Sequence, residues 1–142
     1  MSDANKRIVQ RVFEAMNGGN LGTLDEVVAE GFVDHDPNNP PDLPPGREGL
    51  KQLIGMYRGS FPDMRMTIEE QLAEGDKVVT RWSVRGTHQG ELMGIAPTGK
   101  QVVVTGIFID RIESGQVAES WANWDTLGML QQLGAIPEGA PA

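Results

Sequence analysis

The 142-residue chain has no cysteine, one tyrosine and two histidines. Without cysteine there can be no disulfide, thiolate nucleophile or thiolate metal ligand. Lys and Arg number 12 against 20 Asp and Glu, for a formal net charge of −8. No basic cluster offsets this charge, which argues against nonspecific nucleic-acid or anionic-membrane binding. No apolar run approaches the roughly 18 residues of a membrane span. The start, Met1-Ser2-Asp3-Ala4-Asn5-Lys6-Arg7, leads into an amphipathic pattern and not a secretory apolar segment. A cytoplasmic location is expected. No Gly-x-Gly-x-x-Gly, Walker-type or Gly-x-Ser-x-Gly motif is present, so phosphate cradles and a hydrolase nucleophile elbow find no footing. What is present is a globular composition, 39% hydrophobic and 23% charged, at a length that suits one domain, 1–142.

The order of elements reads as helices first and strands second. Residues 4–17 carry Ile8, Val9, Val12, Phe13 and Met16 at helical spacing and stop at Gly18-Gly19. Thr23 and Glu26 have capping-box spacing, which predicts a short helix to about Glu30. Phe32-Val33 reads as a brief extended piece, and the Pro- and Asn-rich stretch 37–46 as a loop at a cavity mouth. Residues 47–60 resume helical spacing through Leu50, Leu53, Ile54 and Tyr57. Four antiparallel strands are then expected: 64–73, 78–88, 100–113 and, after a Ser114-Gly115 turn, 117–125. A last helix runs from Thr126 to about Leu133, followed by a loose Pro/Gly tail, so the ordered core spans about 4–134. This pattern predicts an α+β domain, a curved antiparallel sheet wrapped round its helices. Apolar residues on both strand faces predict that a second subunit covers the convex side.

Chemistry concentrates on the last strand. Residues two apart share a face, so Trp121, Asn123 and Asp125 line up, with Glu119 behind them. Facing a pocket, Asp125 would be desolvated and its pKa raised, which suits proton transfer. It is equally placed to cap the helix at Thr126. His88 shares the Trp82 face and is expected at the pocket rim as acid, base or donor. His35, between Asp34 and Asp36, has carboxylates at hand to orient its ring. His35, Asp36 and His88 have no spacing that supports a metal site. Arg81 and Arg85 fall opposite Trp82, which disfavours an Asp-Arg-Asp cluster of the epoxide-hydrolase kind. A ketosteroid-isomerase-like site would want a pocket tyrosine near an acid, and Tyr57 is the one tyrosine.

Taken in order, several segments carry a resemblance. They are Phe32-Val33-Asp34-His35-Asp36-Pro37, Phe61-Pro62-Asp63, Glu74-Gly75-Asp76-Lys77, Gly86-Thr87-His88-Gln89-Gly90, Pro97-Thr98-Gly99-Lys100, Glu119-Ser120-Trp121 with Asp125, and Gln131-Gln132-Leu133-Gly134. Together, from Asn5 to Gly134, they resemble the SnoaL-like polyketide cyclases (ester cyclases) of the nuclear-transport-factor-2-like superfamily. The resemblance implies an NTF2-like cone around an apolar pocket and a homodimer or homotetramer built through the outer sheet face. It also implies an intramolecular aldol-type cyclisation, or a related lyase or isomerase reaction, on a small apolar carbonyl compound, without metal or organic cofactor. The aspartate at Asp125 would be the acid/base, with His88 and His35 polarising the substrate. The expected pocket wall is Trp121, Asn123, Trp82, Phe32, Tyr57, Phe13 and Ile107. The alternative is a noncatalytic pocket protein that binds a small apolar molecule.

Overall fold

The computed structural model describes residues 2–136, so the expected loose tail lies mostly outside the described residues. The elements are α1 (Ser2–Gly18), a 3-10 turn (Leu21–Thr23), α2 (Leu24–Val27), β1 (Val28–His35), α3 (Gly46–Ser60), β2 (Arg65–Glu74), β3 (Lys77–Thr87), β4 (Gln101–Glu113), β5 (Gln116–Trp124) and α4 (Thr126–Gln132). They form the expected α+β architecture, with the helices held in a curved, unclosed sheet. The strand order is β1-β5-β4-β3-β2.

Two expectations need correction. Among the described residues the sheet has five strands, because the piece around Phe32 extends to eight residues and pairs in parallel with β5. The second helix stops at Val27 and not at Glu30, and no capping box forms. Thr23 itself has helical φ/ψ, and its side chain makes no cap bond. Val27-Val28 then favours extended chain, as β-branched residues do.

The interior follows from helix periodicity. Val9, Phe13 and Met16 of α1 are buried, each worth roughly 1.5–3 kcal/mol relative to exposure. Phe13 meets Phe108, and Phe108 meets Trp82, at ring-centroid distances of 5.9 and 5.0 Å. The end of α1 is tied down twice. Arg58 donates to the carbonyls of Met16 and Asn17 at 2.7 and 3.1 Å, satisfying carbonyls that a helix end leaves open. The Asn17 amide pairs both ways with the Met66 backbone on edge strand β2, which blunts that edge.

β3 and β4 pair without interruption from Lys77↔Arg111 to Thr87↔Gln101. The β4–β5 hairpin turns at Ser114 and Gly115, both with positive φ, as a tight hairpin whose twist matches its strands requires. Beyond the turn the register slips. Ile112 pairs with Val117 but Arg111 with Glu119, leaving Ala118 as an extra residue in β5. This one-residue bulge sets which side chains of β5 face inward.

Candidate active site

A cavity of about 170 Å³ lies between the concave sheet face and helices α1 and α3. Its wall is mostly apolar and aromatic. Phe13, Phe32, Tyr57 and Trp82, all expected to form it, do line it, together with Phe61, Phe108 and Trp124. The proline-rich loop borders a second recess that shares Phe32, Asp34 and Leu50 with the cavity.

Below the Ala118 bulge, the inward residues of β5 are Ser120, Ala122 and Trp124. The face carrying Glu119, Trp121, Asn123 and Asp125 is the outer one. The expected grouping of these residues is therefore found, but on the opposite side of the sheet. Asp125 is exposed and accepts the Gly128 backbone N–H at 2.9 Å as the N-cap of α4. A Cβ on Gly128 would collide with that carboxylate. Asn123 is exposed, and Ile107, on the outward parity of β4, is 47% exposed.

The histidines also stand away from the cavity wall. His35 faces outward, stacked on Trp121 at 5.1 Å and 13° and hydrogen-bonded to Glu119 at 2.7 Å. Glu119, not a flanking aspartate, orients the ring, and Arg111 holds Glu119 in turn at 3.0 Å. His88 shares the Trp82 face as expected, but it is fully buried. It packs behind the wall residue Phe61, with Nδ1 accepting the Thr98 backbone N–H at 3.2 Å. Among the described residues, no three His, Asp or Glu side chains converge as a metal would require.

The cavity instead holds acids that strand parity at the last strand passed over. Asp34 on β1, Ser120 on β5 and Asp110 on β4 are consecutive register partners across three strands, and all three line the cavity. Asp110 is 7% exposed. Burial pushes its carboxyl up to about 7, against the lowering effect of a hydrogen bond from Ser120; Asp34 adds a smaller upward push. Asp34 is also raised, first by burial, although Asn39 Nδ2 donates to it at 3.0 Å. The sequence did hold one signal for Asp110. It is a lone acid in the apolar stretch Ile107-Phe108-Ile109-Asp110-Arg111-Ile112, on the same parity as Phe108 and Ile112.

Asp36, at the start of the loop, fixes the aromatic wall. The Trp124 indole N–H donates to it at 3.0 Å and the Asn38 backbone N–H at 2.9 Å. Trp124 and Trp82 approach each other across Gly106, where a Cβ would strike the Trp82 ring and come within 2.7 Å of Trp124 Cβ. Tyr57 meets Trp124 edge-on, with centroids 6.3 Å apart at 87°. Burial, then the Asp36 charge, pushes its phenol up to about 12. The result is a mostly aromatic and apolar box with carboxyl groups on the sheet side and one phenol on the helix side. It can hold a flat apolar molecule and move a proton to or from it.

The family model of the SnoaL-like polyketide cyclases matches residues 6–133. The chain belongs to this family. The nogalonic acid methyl ester cyclase of Streptomyces nogalater is 29% identical over 126 residues, covering 84% of this chain and 90% of the relative. Among solved structures, TsrD from Streptomyces laurentii superposes with a TM-score of 0.85 at 30% identity, over 94% of this chain and 97% of its own. IdmH from Streptomyces antibioticus does so with a TM-score of 0.81 at 36% identity, over 92% and 98%. No helix among the described residues of this SnoaL-like chain is long and apolar enough to cross a membrane.

Proposed function

We propose that the protein is a cofactor-independent acid/base enzyme that closes a ring in a small apolar carbonyl compound by aldol-type chemistry, with Asp110 as its proton-transfer group. One observation carries this reading. Asp110 is a buried carboxyl on the wall of an apolar cavity, and burial brings its pKa to about 7. A base is most effective when its pKa lies near the working pH. Asp125, capping α4 in solvent, has no such surroundings, so the acid/base role expected of it is assigned to Asp110.

The steps balance with one carboxyl. Asp110 carboxylate removes a proton α to a carbonyl, and the C–H electron pair becomes an enolate. The enolate carbon attacks a second carbonyl of the same molecule, forming the C–C bond. The resulting alkoxide takes the proton back from Asp110. Ser120 holds the carboxyl in place. Family membership and the curated ester cyclase relative support a cyclase-type role. The reading also includes a second copy of the chain on the outer sheet face, where Val103, Ile107 and Ile109 stand exposed.

Hydrogen–deuterium exchange at the methylene of ethyl benzoylacetate, followed by NMR, tests the base without knowledge of the natural substrate. Wild-type protein should accelerate exchange over buffer. Asp110→Asn should reduce the acceleration by about a hundredfold or more, and Asp125→Asn should leave it intact. The opposite ranking of the two variants would overturn the assignment.

A further inference from the structure

We propose that Tyr57 is a second catalytic residue, whose phenolic hydroxyl donates a hydrogen bond to the substrate carbonyl oxygen and stabilises the oxyanion formed when Asp110 removes the neighbouring proton. This rests on the acid/base reading of Asp110 and adds the half of the chemistry that a base cannot supply. Deprotonation next to a carbonyl moves negative charge onto oxygen. In an apolar cavity that already contains Asp34, Asp36 and Asp110, that charge needs a donor fixed in advance.

The other donors of the wall are committed or closed off. The Ser120 hydroxyl is engaged with Asp110. The Trp124 indole N–H is given to Asp36, and the Asn39 amide, which borders the neighbouring recess, is given to Asp34. The Trp82 indole nitrogen has no partner, but it is buried with essentially no exposed surface. Arg85 borders the cavity, but it is exposed and alternates with the inward Val84 and Gly86. The Tyr57 hydroxyl has no hydrogen-bond partner among the described residues, and Tyr57 lines the cavity.

Its setting suits the task. Tyr57 stands on α3 while Asp110 stands on the sheet, so a planar carbonyl compound between them meets a base on one wall and a donor on another. The ring is held edge-on by Trp124, which Asp36 anchors. The phenol also stays protonated up to about 12, from burial first and the Asp36 charge second. It is therefore a donor at every pH at which Asp110 works. No proton leaves Tyr57 in the cycle; it contributes a hydrogen bond that strengthens as charge develops on the substrate oxygen.

Because Tyr57 is the only tyrosine, growth on 3-fluorotyrosine or 3,5-difluorotyrosine changes this phenol alone. The assay is the same exchange at ethyl benzoylacetate, read as kcat and KM. Tyr57→Phe is expected to lower kcat about a hundredfold with KM within threefold of wild type. The fluorinated series, which keeps the ring and its packing, is expected to change kcat in step with phenol acidity. A kcat unchanged in Tyr57→Phe and flat across the fluorinated proteins, with Asp110→Asn inactive, would overturn the role of Tyr57 and leave that of Asp110. Full activity in Asp110→Asn, or wild-type protein that gives no exchange above buffer, would overturn both.

Discussion

Replacing Asp110 by asparagine provides a test that needs no substrate, because a carboxyl held near pH 7 also affects folding. In the unfolded chain this acid releases its proton near 3.8; in the folded chain burial delays release to about 7. Between these values the folded state holds a proton that the unfolded state has lost. The unfolded state binds fewer protons, so stability falls as pH rises through this window and levels off above it. About three pH units at about 1.4 kcal/mol each amount to about 4 kcal/mol, a large share of the roughly 5–15 kcal/mol that holds a domain together.

Asparagine cannot ionise, so the variant lacks this slope. Asp34 is also raised by burial and remains in both proteins, so only its smaller charge coupling to Asp110 enters their difference. Urea denaturation monitored by circular dichroism at intervals from pH 4 to pH 8.5 would measure that difference. At pH 4 the variant should equal the wild type or fall slightly below it, since the Ser120 bond is altered. Its stability relative to wild type should then rise with pH, approaching a gain of about 4 kcal/mol above pH 8. Wild-type exchange activity should rise over the same range with a midpoint near pH 7, as the carboxylate forms. Parallel stability profiles for the two proteins would refute the reasoning: Asp110 would then titrate as an ordinary acid, with no special fitness as a neutral-pH base.

Asp125→Ala should cost about 1 kcal/mol as a lost helix cap, visible as a lower urea midpoint, while exchange activity stays near wild type. Gly106→Ala should destabilise by about 1–3 kcal/mol, because its Cβ meets the Trp82 ring. It should also shift tryptophan fluorescence as Trp82 and Trp124 move. Ile107→Lys on the outer face should reduce the mass measured by light scattering to that of one chain with activity per chain retained; a monomeric wild type would end the proposal of a covered face.

Much of the fold was legible because its signals are local. The heptad-like spacing of Val9, Phe13 and Met16, the Gly18-Gly19 stop and the Ser114-Gly115 turn each act within a few residues. The structure places each where the periodicity puts it. The fifth strand was less visible because β1 pairs in parallel with β5, some ninety residues away. Phe32 and Val33 alone carry no mark of that partner. The cavity's aromatic wall was readable in part, since Phe13, Tyr57 and Trp82 lie on faces that their own helices and strand define. His88 was misplaced for a different reason: parity gives a face, but cannot say that Phe61 will stand between that face and the cavity.

The inward face of β5 was misread through a single residue. Counting alternately from the inward Val117 places Glu119, Trp121, Asn123 and Asp125 inside, which is the arrangement the sequence alone suggests. The extra residue at Ala118 reverses that count, and Val117 and Ser120, three apart, both face the cavity. The reversal sends four side chains, two of them acids, to the outer face. There Glu119 pairs with His35 and Arg111, and Asp125 caps a helix. It brings in their place a small hydroxyl, a methyl group and an indole. Ser120 then fits between Asp34 and Asp110 without adding charge, and Ala122 leaves open space beside them. An unbulged β5 would have put Glu119 against the same two aspartates, and carboxylates so close together cannot all ionise. The bulge thus decides the chemistry of the cavity: it leaves Asp110 with a neutral hydrogen-bonding neighbour on β5, so that burial, more than like-charge repulsion, sets its pKa.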